Sequence, residues 1–323
     1  PFYATDLTLE WTSSDESVVT VEPNGEGDQL TQYAKLTALK PGTATVTAKA
    51  KNGTATYDLA VTVTEATGSG SFNIVGDTLV SYSGSESTVT IPDGVRIIGE
   101  NAFKNNDYVL NVICPDSLEE IGYRAFYDCD NLQSVSLPEG VKSIGESAFY
   151  YCENLKTLGH TDDGVLPKGL TTMGVKAFYF CKALEGDLVI PEGVTSLSAG
   201  IFYNAFALTS ITIPDTVTSM DANGDQFANC TAVTSVTLSR TLTELPKTAF
   251  FTCKSLKHLP DLSNVTSVGT SCFAGCAALE EMVIPESLTF IGTNAFARSS
   301  LTEITVLGDP TGLDSAFYNS LNL

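Results

Sequence analysis

Along Val135–Thr157, VSLPEGVKSIGESAFYYCENLKT, the spacing of apolar positions changes once within a short stretch. Val135 and Leu137 alternate with Ser136, as residues do on a short strand with one buried face. Pro138 then ends the strand, because proline brings no amide hydrogen to a ladder. Further on, Phe149, Cys152 and Leu155 follow at steps of three, a spacing that places side chains on one face of a helical turn, with Ala148 small enough to let a neighbour approach. The segment therefore predicts a short strand, a corner and a short helical turn.

The same pattern recurs. An Ala-Phe pair or close variant places phenylalanine at 103, 126, 149, 178, 202, 227, 250, 273, 296 and 317, at intervals of 23, 23, 29, 24, 25, 23, 23, 23 and 21. Pro92, Pro115, Pro167, Pro191 and Pro285 stand at the offset of Pro138. Such a period belongs to the leucine-rich-repeat size class. One coil cannot bury its own apolar face, so stability must come from stacking coil on coil. At about 4.8 Å per coil, the stack should be on the order of 50 Å long. The 29-residue unit carries an insertion at Leu158–Pro167 and the 25-residue unit another at Met220–Phe227, and both should bulge from the stack.

Upstream the pattern differs. SVVTVE, AKLTALK, TATVTAKA and ATYDLAVTVTE alternate apolar and polar residues between PNGEGD, KPGT and KNGT, the punctuated alternation of an antiparallel sandwich. Trp11, the only tryptophan, is the expected core anchor, and residues 66–71, ATGSGS, read as a flexible linker.

Residues 8–64, with EWTSSDESVVTV, TALKPGTATVTAKA and YDLAVTV, resemble a group 2 bacterial immunoglobulin-like domain that lacks its first strands. Residues 72–323, through the recurring IP-x-GV-x-x-IG-x-x-AF-x-x-C-x-x-L, resemble the BspA-like leucine-rich-repeat surface proteins, and 72–91 look like the hairpin that opens such an array. The expectation is a β-rich, multidomain chain: an Ig-like antiparallel β-sandwich over 1–65, a linker at 66–71, and a curved solenoid of about ten coils over 72–323. The resemblances imply a non-catalytic bacterial protein of the cell surface or extracellular space. They point to an adhesin whose partner is a protein of host matrix or cells, with a glycan-binding accessory or a passive spacer as the alternatives.

Composition narrows the chemistry. Seventeen Lys and Arg against 38 Asp and Glu give a formal net charge of -21, which repels phosphate backbones and argues against nucleic acid. No apolar run is long enough to span a bilayer. The start PFYATDLTLE lacks the features of a signal peptide, so any secretion signal has been removed or lies outside this chain. Cys129, Cys152, Cys181, Cys230, Cys253 and Cys276 all stand three residues after a repeat phenylalanine, which reads as a ladder of buried thiols, although adjacent coils would bring pairs within disulfide range. Cys253, His258, Cys272 and Cys276 have zinc-ligand types but not converging positions. His160 beside Asp162 and Asp163 reads as a solvated loop, so no cofactor and no catalytic residue is expected. Asp221, Asn223 and Asp225 alternate as calcium-loop oxygens do, but Gly224 precedes Asp225 where that loop wants glycine after it. The candidate ligand-binding residues are aromatic. Tyr127, Tyr150, Tyr179 and Tyr203 follow the repeat phenylalanine in successive coils, with Tyr151 and Phe180 beside them, so stacking should align them into a stripe. Thr90, Ser136, Thr212 and Thr237 form a second, hydroxyl row on the strand positions.

Overall fold

The computed structural model describes residues 9–24, 33–40, 42–51, 55–63, 70–159 and 165–320. The chain divides into two compact units, Pro1–Gly68 and Ser69–Leu323. In the first, Gly42–Ala50 pairs antiparallel with Leu9–Ser13 on one side and Thr56–Val63 on the other, while Val19–Asn24 and Tyr33–Ala38 form an antiparallel ribbon. Alternation buries Val19, Ala44 and Val46, Val18 is buried beside them in the turn before its strand, and Trp11, Val21 and Val61 pack against them. This unit is all β, as its punctuated alternation predicts.

The second unit is a stack of repeated coils, each hydrogen-bonded to its neighbours in the stack. Each typical coil contributes two short strands. One is the alternating segment, as in Thr88–Thr90, Asn111–Ile113 and Ser134–Ser136, which pair in parallel with a shift of one coil. The other is a two-residue strand, as in Ile97–Ile98, Glu120–Ile121 and Ser143–Ile144, also paired in parallel. Between them the residue at the proline position accepts the amide three residues on, as Pro138 does from Val141 at 3.3 Å. Glycine follows the second strand because the preceding coil lies against it: a Cβ on Gly174 would stand 2.3 Å from the Glu146 nitrogen. At the N-terminal end Ser71–Val75 and Thr78–Ser83 form an antiparallel hairpin whose second strand joins the two-residue ladder. Phe72 and Tyr82 of this hairpin continue the column of repeat phenylalanines, with ring centroids 5.1 and 5.2 Å apart down to Phe103.

The expected helical turn is not there. Among the described residues the only helical element is a single 3-10 turn, Leu313–Ser315. From Phe103 to Phe296 the segment around each repeat phenylalanine is bracketed by residues in the left-handed region: Arg124 and Asp128 at φ 51° and 58° around Phe126, Ser147 and Tyr151 at 55° and 60° around Phe149, Thr248 and Thr252 at 54° and 58° around Phe250. An α-helix cannot pass through such residues. The reason for the bracket lies in the amides. Asn101, Phe103 and Asn105 donate to the carbonyls of Tyr123, Ala125 and Tyr127 in the next coil at 3.0, 2.7 and 2.8 Å, while Ala102, Lys104 and Asn106 close turns within their own coil. A helix would turn every amide inward along its own axis and leave neighbouring coils unbonded. The step-of-three spacing is therefore produced by consecutive turns, not by helix.

Phenylalanine stacking runs through this layer. From Phe103 to Phe317 successive rings lie 4.8 to 6.0 Å apart and nearly parallel. Those from Phe103 to Phe296 are at most 2% exposed. The cysteines form the adjoining column. Cys129, Cys152 and Cys181 each direct Sγ at the carbonyl of the preceding coil's phenylalanine, at 3.0, 3.0 and 3.1 Å, and all eight cysteines are free thiols. Burial pushes the Cys129, Cys230 and Cys276 thiols up to about 12. Where Ser239 replaces the corner proline, its hydroxyl bonds the Val217 carbonyl at 2.7 Å, and the following Arg240 pairs with Asp215 of the previous coil, so the corner is held by side chains instead.

Two outcomes follow from this geometry. Thr248→Gly should stabilise the protein by about 1 kcal/mol in urea unfolding, because it relieves a β-branched residue at positive φ. A helical turn there would give the opposite sign, a loss of roughly 1 kcal/mol. The thiols make stability fall with alkali. Thiols of the unfolded chain ionise near 9.0 while the buried ones keep their protons to about 12. Over that window the unfolded state binds fewer protons than the folded one, so the urea midpoint, measured in reductant, should drop as pH rises above about 9, and drop less in a Cys230→Ala variant. A midpoint unchanged by the substitution across that range contradicts the buried ladder.

Candidate functional site

From Phe103 to Phe296 the residue after the repeat phenylalanine lies between the two left-handed brackets, with its backbone amide and carbonyl both hydrogen-bonded in the tyrosine coils and its side chain turned away from the core. Tyr150 shows the arrangement: its amide donates to Ser147 at 3.2 Å and its carbonyl accepts from the Asp128 amide of the previous coil at 2.7 Å. Stacked coils then align these side chains. Tyr127, Tyr150, Tyr179 and Tyr203 form one column, with ring centroids 4.9, 5.0 and 4.6 Å apart and interplanar angles of 3°, 4° and 9°. Tyr151 and Phe180 form a second, parallel pair at 4.5 Å, and Tyr151 tilts against Tyr150 at 4.7 Å. All six are half-buried. The column stops where the next coil offers Ala228 instead of a ring.

Four cations attend this patch. The Lys104 Nζ lies 5.6 Å from the Tyr127 ring centre, the Arg124 guanidinium 4.9 Å from the same ring, the Lys176 Nζ 5.2 Å from Tyr179 and the Lys182 Nζ 5.4 Å from Phe180. Lys182 also pairs with Glu153 at 2.8 Å, so the positive charge of the patch is carried mainly by Lys104, Arg124 and Lys176. Burial, followed by the neighbouring phenols Tyr203 and Tyr150, pushes Tyr179 up to about 12, and burial raises Tyr150 in the same direction. The Tyr150 and Tyr179 hydroxyls therefore stay protonated and can donate as well as accept.

The other sequence-predicted positions are not assembled into sites. The hydroxyl row is interrupted: Ile113, 44% exposed, stands between Thr90 and Ser136, and Val189, 38% exposed, beside Thr212. Asp221 uses its carboxylate to accept the Asn223 amide at 2.8 Å, and Asp225 occupies the left-handed bracket before Phe227 at φ 62°. Cys253 and Cys276 face phenylalanine carbonyls of different coils, whereas the His258 side chain is 76% exposed. Among the described residues no group of three or more His, Cys, Asp or Glu is placed to hold a metal ion. His160, Asp162 and Asp163 lie outside the described residues.

One feature escapes the sequence reading. His258, Leu259, Pro260, Asp261, Leu262, Ser263, Glu281, Met282, Val283, Pro285, Glu303 and Thr305 line a groove of about 510 Å³. The signal was present in Pro260, which falls inside the strand position of its coil and not at the corner.

Residues 73–205, 161–259 and 195–323 match the BspA type leucine rich repeat region, and residues 1–61 match the bacterial Ig-like domain (group 2). No curated protein sequence matches the chain. Among solved structures the chain is similar to a leucine rich cell surface protein from Faecalibacterium prausnitzii A2-165, with 25% identity over 79% of this chain and 97% of that one and a TM-score of 0.42. It is also similar to the T. pallidum leucine rich repeat protein, with 22% identity over 65% and 87% and a TM-score of 0.44. A third similarity is to the pneumococcal vaccine antigen PcpA, with 19% identity over 74% and 67% and a TM-score of 0.42. Among the described residues no helix is long and apolar enough to cross a membrane. By its repeats the chain belongs to the BspA-type leucine-rich-repeat family, and it carries a group 2 bacterial Ig-like domain at its N-terminus.

Proposed function

We propose that this chain is a non-catalytic binding protein of the bacterial surface or extracellular space, an adhesin that meets a protein partner through the tyrosine column. The observation that carries the reading is the column itself. Tyr127, Tyr150, Tyr179 and Tyr203 present ring edges and hydroxyls at intervals of 4.6 to 5.0 Å on a backbone locked from both sides. Rings held in this way contribute contact area with little further loss of conformational freedom, which is the physical basis of tyrosine's enrichment in binding surfaces. Family membership supports the same class of function, since stacked repeats present broad faces for protein contact.

The geometry favours a protein over a glycan. Sugars stack on open ring faces, but here each face inside the column is covered by the next ring, and the Tyr127 ring has Lys104 and Arg124 against it. Edges, hydroxyls and cations remain outward. They suit a partner surface with hydrogen-bond acceptors and negative charge.

A pull-down from host extracellular material with the whole chain, followed by titration of the captured protein, tests the reading. Replacing Tyr150 and Tyr179 together by alanine should weaken the captured interaction by about tenfold or more. Urea unfolding checks that the variant remains folded. Saturable binding of unchanged affinity, or no saturable binding to matrix proteins, host cells or other bacteria, contradicts it.

A further inference from the structure

The alternating-strand ladder has a gap of one coil. Ser235–Thr237 is the last strand of one parallel sheet, and Glu281–Ile284 begins another with Glu303–Val306. The coil between them supplies Leu256–Val265, which has the same length as Val233–Leu242 one coil earlier. Matched residue for residue, Pro260 takes the place of Thr237. In this ladder Thr237 faces the preceding strand, because its carbonyl accepts from the Ile213 amide at 2.9 Å. The equivalent amide at position 260 would bond the Val236 carbonyl, and it is the amide that proline lacks.

Both rims of the gap are left open. On the first rim Val236 and Leu238 face forward, and at 8% exposure each they are less covered than the equivalent Ile211 and Ile213 at 1%. On the second rim Ile284 faces Glu303–Val306, since its carbonyl accepts from the Leu307 amide at 2.9 Å. Strand alternation then turns Glu281 and Val283 back towards the gap. Among the described residues none pairs with this edge of Glu281–Ile284. Here lies the groove of about 510 Å³, with Leu259, Leu262 and Met282 among its apolar lining.

We propose that this groove takes one extended, basic segment of a partner protein, added as a strand along Glu281–Ile284. An open strand edge supplies backbone hydrogen bonds, and alternate side chains of the added strand supply specificity. The lining fixes the charge of the occupant. Asp261, Glu281 and Glu303 oppose a single imidazole, His258, whose Nδ1 is 3.9 Å from Glu281. Hydrogen bonds from the Ser263 amide, at 2.9 Å, and from its hydroxyl hold the Asp261 carboxyl below its ordinary range, so the groove stays anionic. On the outer face Glu281 and Val283 alternate, with Val283 53% exposed. A lysine or arginine on the added strand would stand beside Glu281, and the residues between would turn inward to Leu259 and Met282.

The test is a fluorescence-anisotropy titration of the whole chain with the labelled peptide Lys-Val-Lys-Val-Lys-Val-Lys. Saturable binding in the micromolar range is expected. N-methylation of alternate amides on the bonding edge should weaken it by about tenfold or more, which separates strand addition from general attraction to an acidic protein. Val283→Pro removes an edge amide without touching the ladder to Glu303–Val306, and it should have a similar effect. The exposed double variant Glu281→Lys with Glu303→Lys should do the same and serves if the proline variant unfolds. Tyr150→Ala should leave peptide binding unchanged, which keeps this site distinct from the tyrosine column. The proposal is overturned by the absence of saturation up to about 1 mM, by equal binding of the N-methylated peptide, or by indifference to the charge reversals. A dimer in sedimentation that Val283→Pro dissociates would also overturn it, by showing a second copy of the chain in the groove.

Discussion

The repeat unit rests on a reciprocal satisfaction of backbone groups between coils. Around each repeat phenylalanine, alternate amides close turns within the coil and the remaining ones donate to the next coil, as the Phe126 amide does to the Ala148 carbonyl at 2.8 Å. Neither set suffices alone. The turns require left-handed residues two positions either side of the phenylalanine, a conformation that costs an L-residue roughly 1–2 kcal/mol. That cost is offset only when the neighbouring coil accepts the outward amides and covers the phenylalanine face. The coil is thus conditional on its neighbours, and the repeat must extend.

Everything outward from this layer inherits its register. A side chain at one repeat position meets its equivalents above and below at close to 5 Å, so a single residue choice, repeated, becomes a row. Tyrosine after the phenylalanine gives a column of rings; cysteine three residues after it gives a column of thiols beside carbonyls. Rows present surfaces for other molecules to lie along. Enclosure arises only where the repeat is broken, as at Pro260, where a missing amide interrupts one ladder and opens a groove beside the acidic strand Glu281–Ile284.

Much of this was legible in the chain. The Ala-Phe spacing located the coils, the proline corners bounded the alternating strands, and Tyr127, Tyr150, Tyr179 and Tyr203 were placed in a column before any coordinates. The conformation around the phenylalanine was not legible, because Phe149, Cys152 and Leu155 fall at a step of three whether the backbone runs as helix or as successive turns. The distinguishing residues are mixed: Asn101, Asn105, Asp128 and Gly200 tolerate positive φ, whereas Arg124, Lys176 and Thr248 do not prefer it and have it imposed by neighbouring coils. The second ladder was hidden for a different reason: Ser143–Ile144 is too short to show alternation. Pro260 was visible as a residue but not as a defect, since the length of its coil is preserved.

The central claim is that coils are interchangeable units joined through equivalent bonds. Deletion of Tyr127–Phe149 removes one interval of 23 residues and joins Phe126 to Tyr150 in register. Urea unfolding of this variant should remain a single cooperative transition with a native-like circular dichroism spectrum. Removing only Tyr127–Leu137, which leaves the remaining residues out of register, should abolish that transition. If the full-interval deletion unfolds the protein as completely as the partial one, the coils are not equivalent and the account fails.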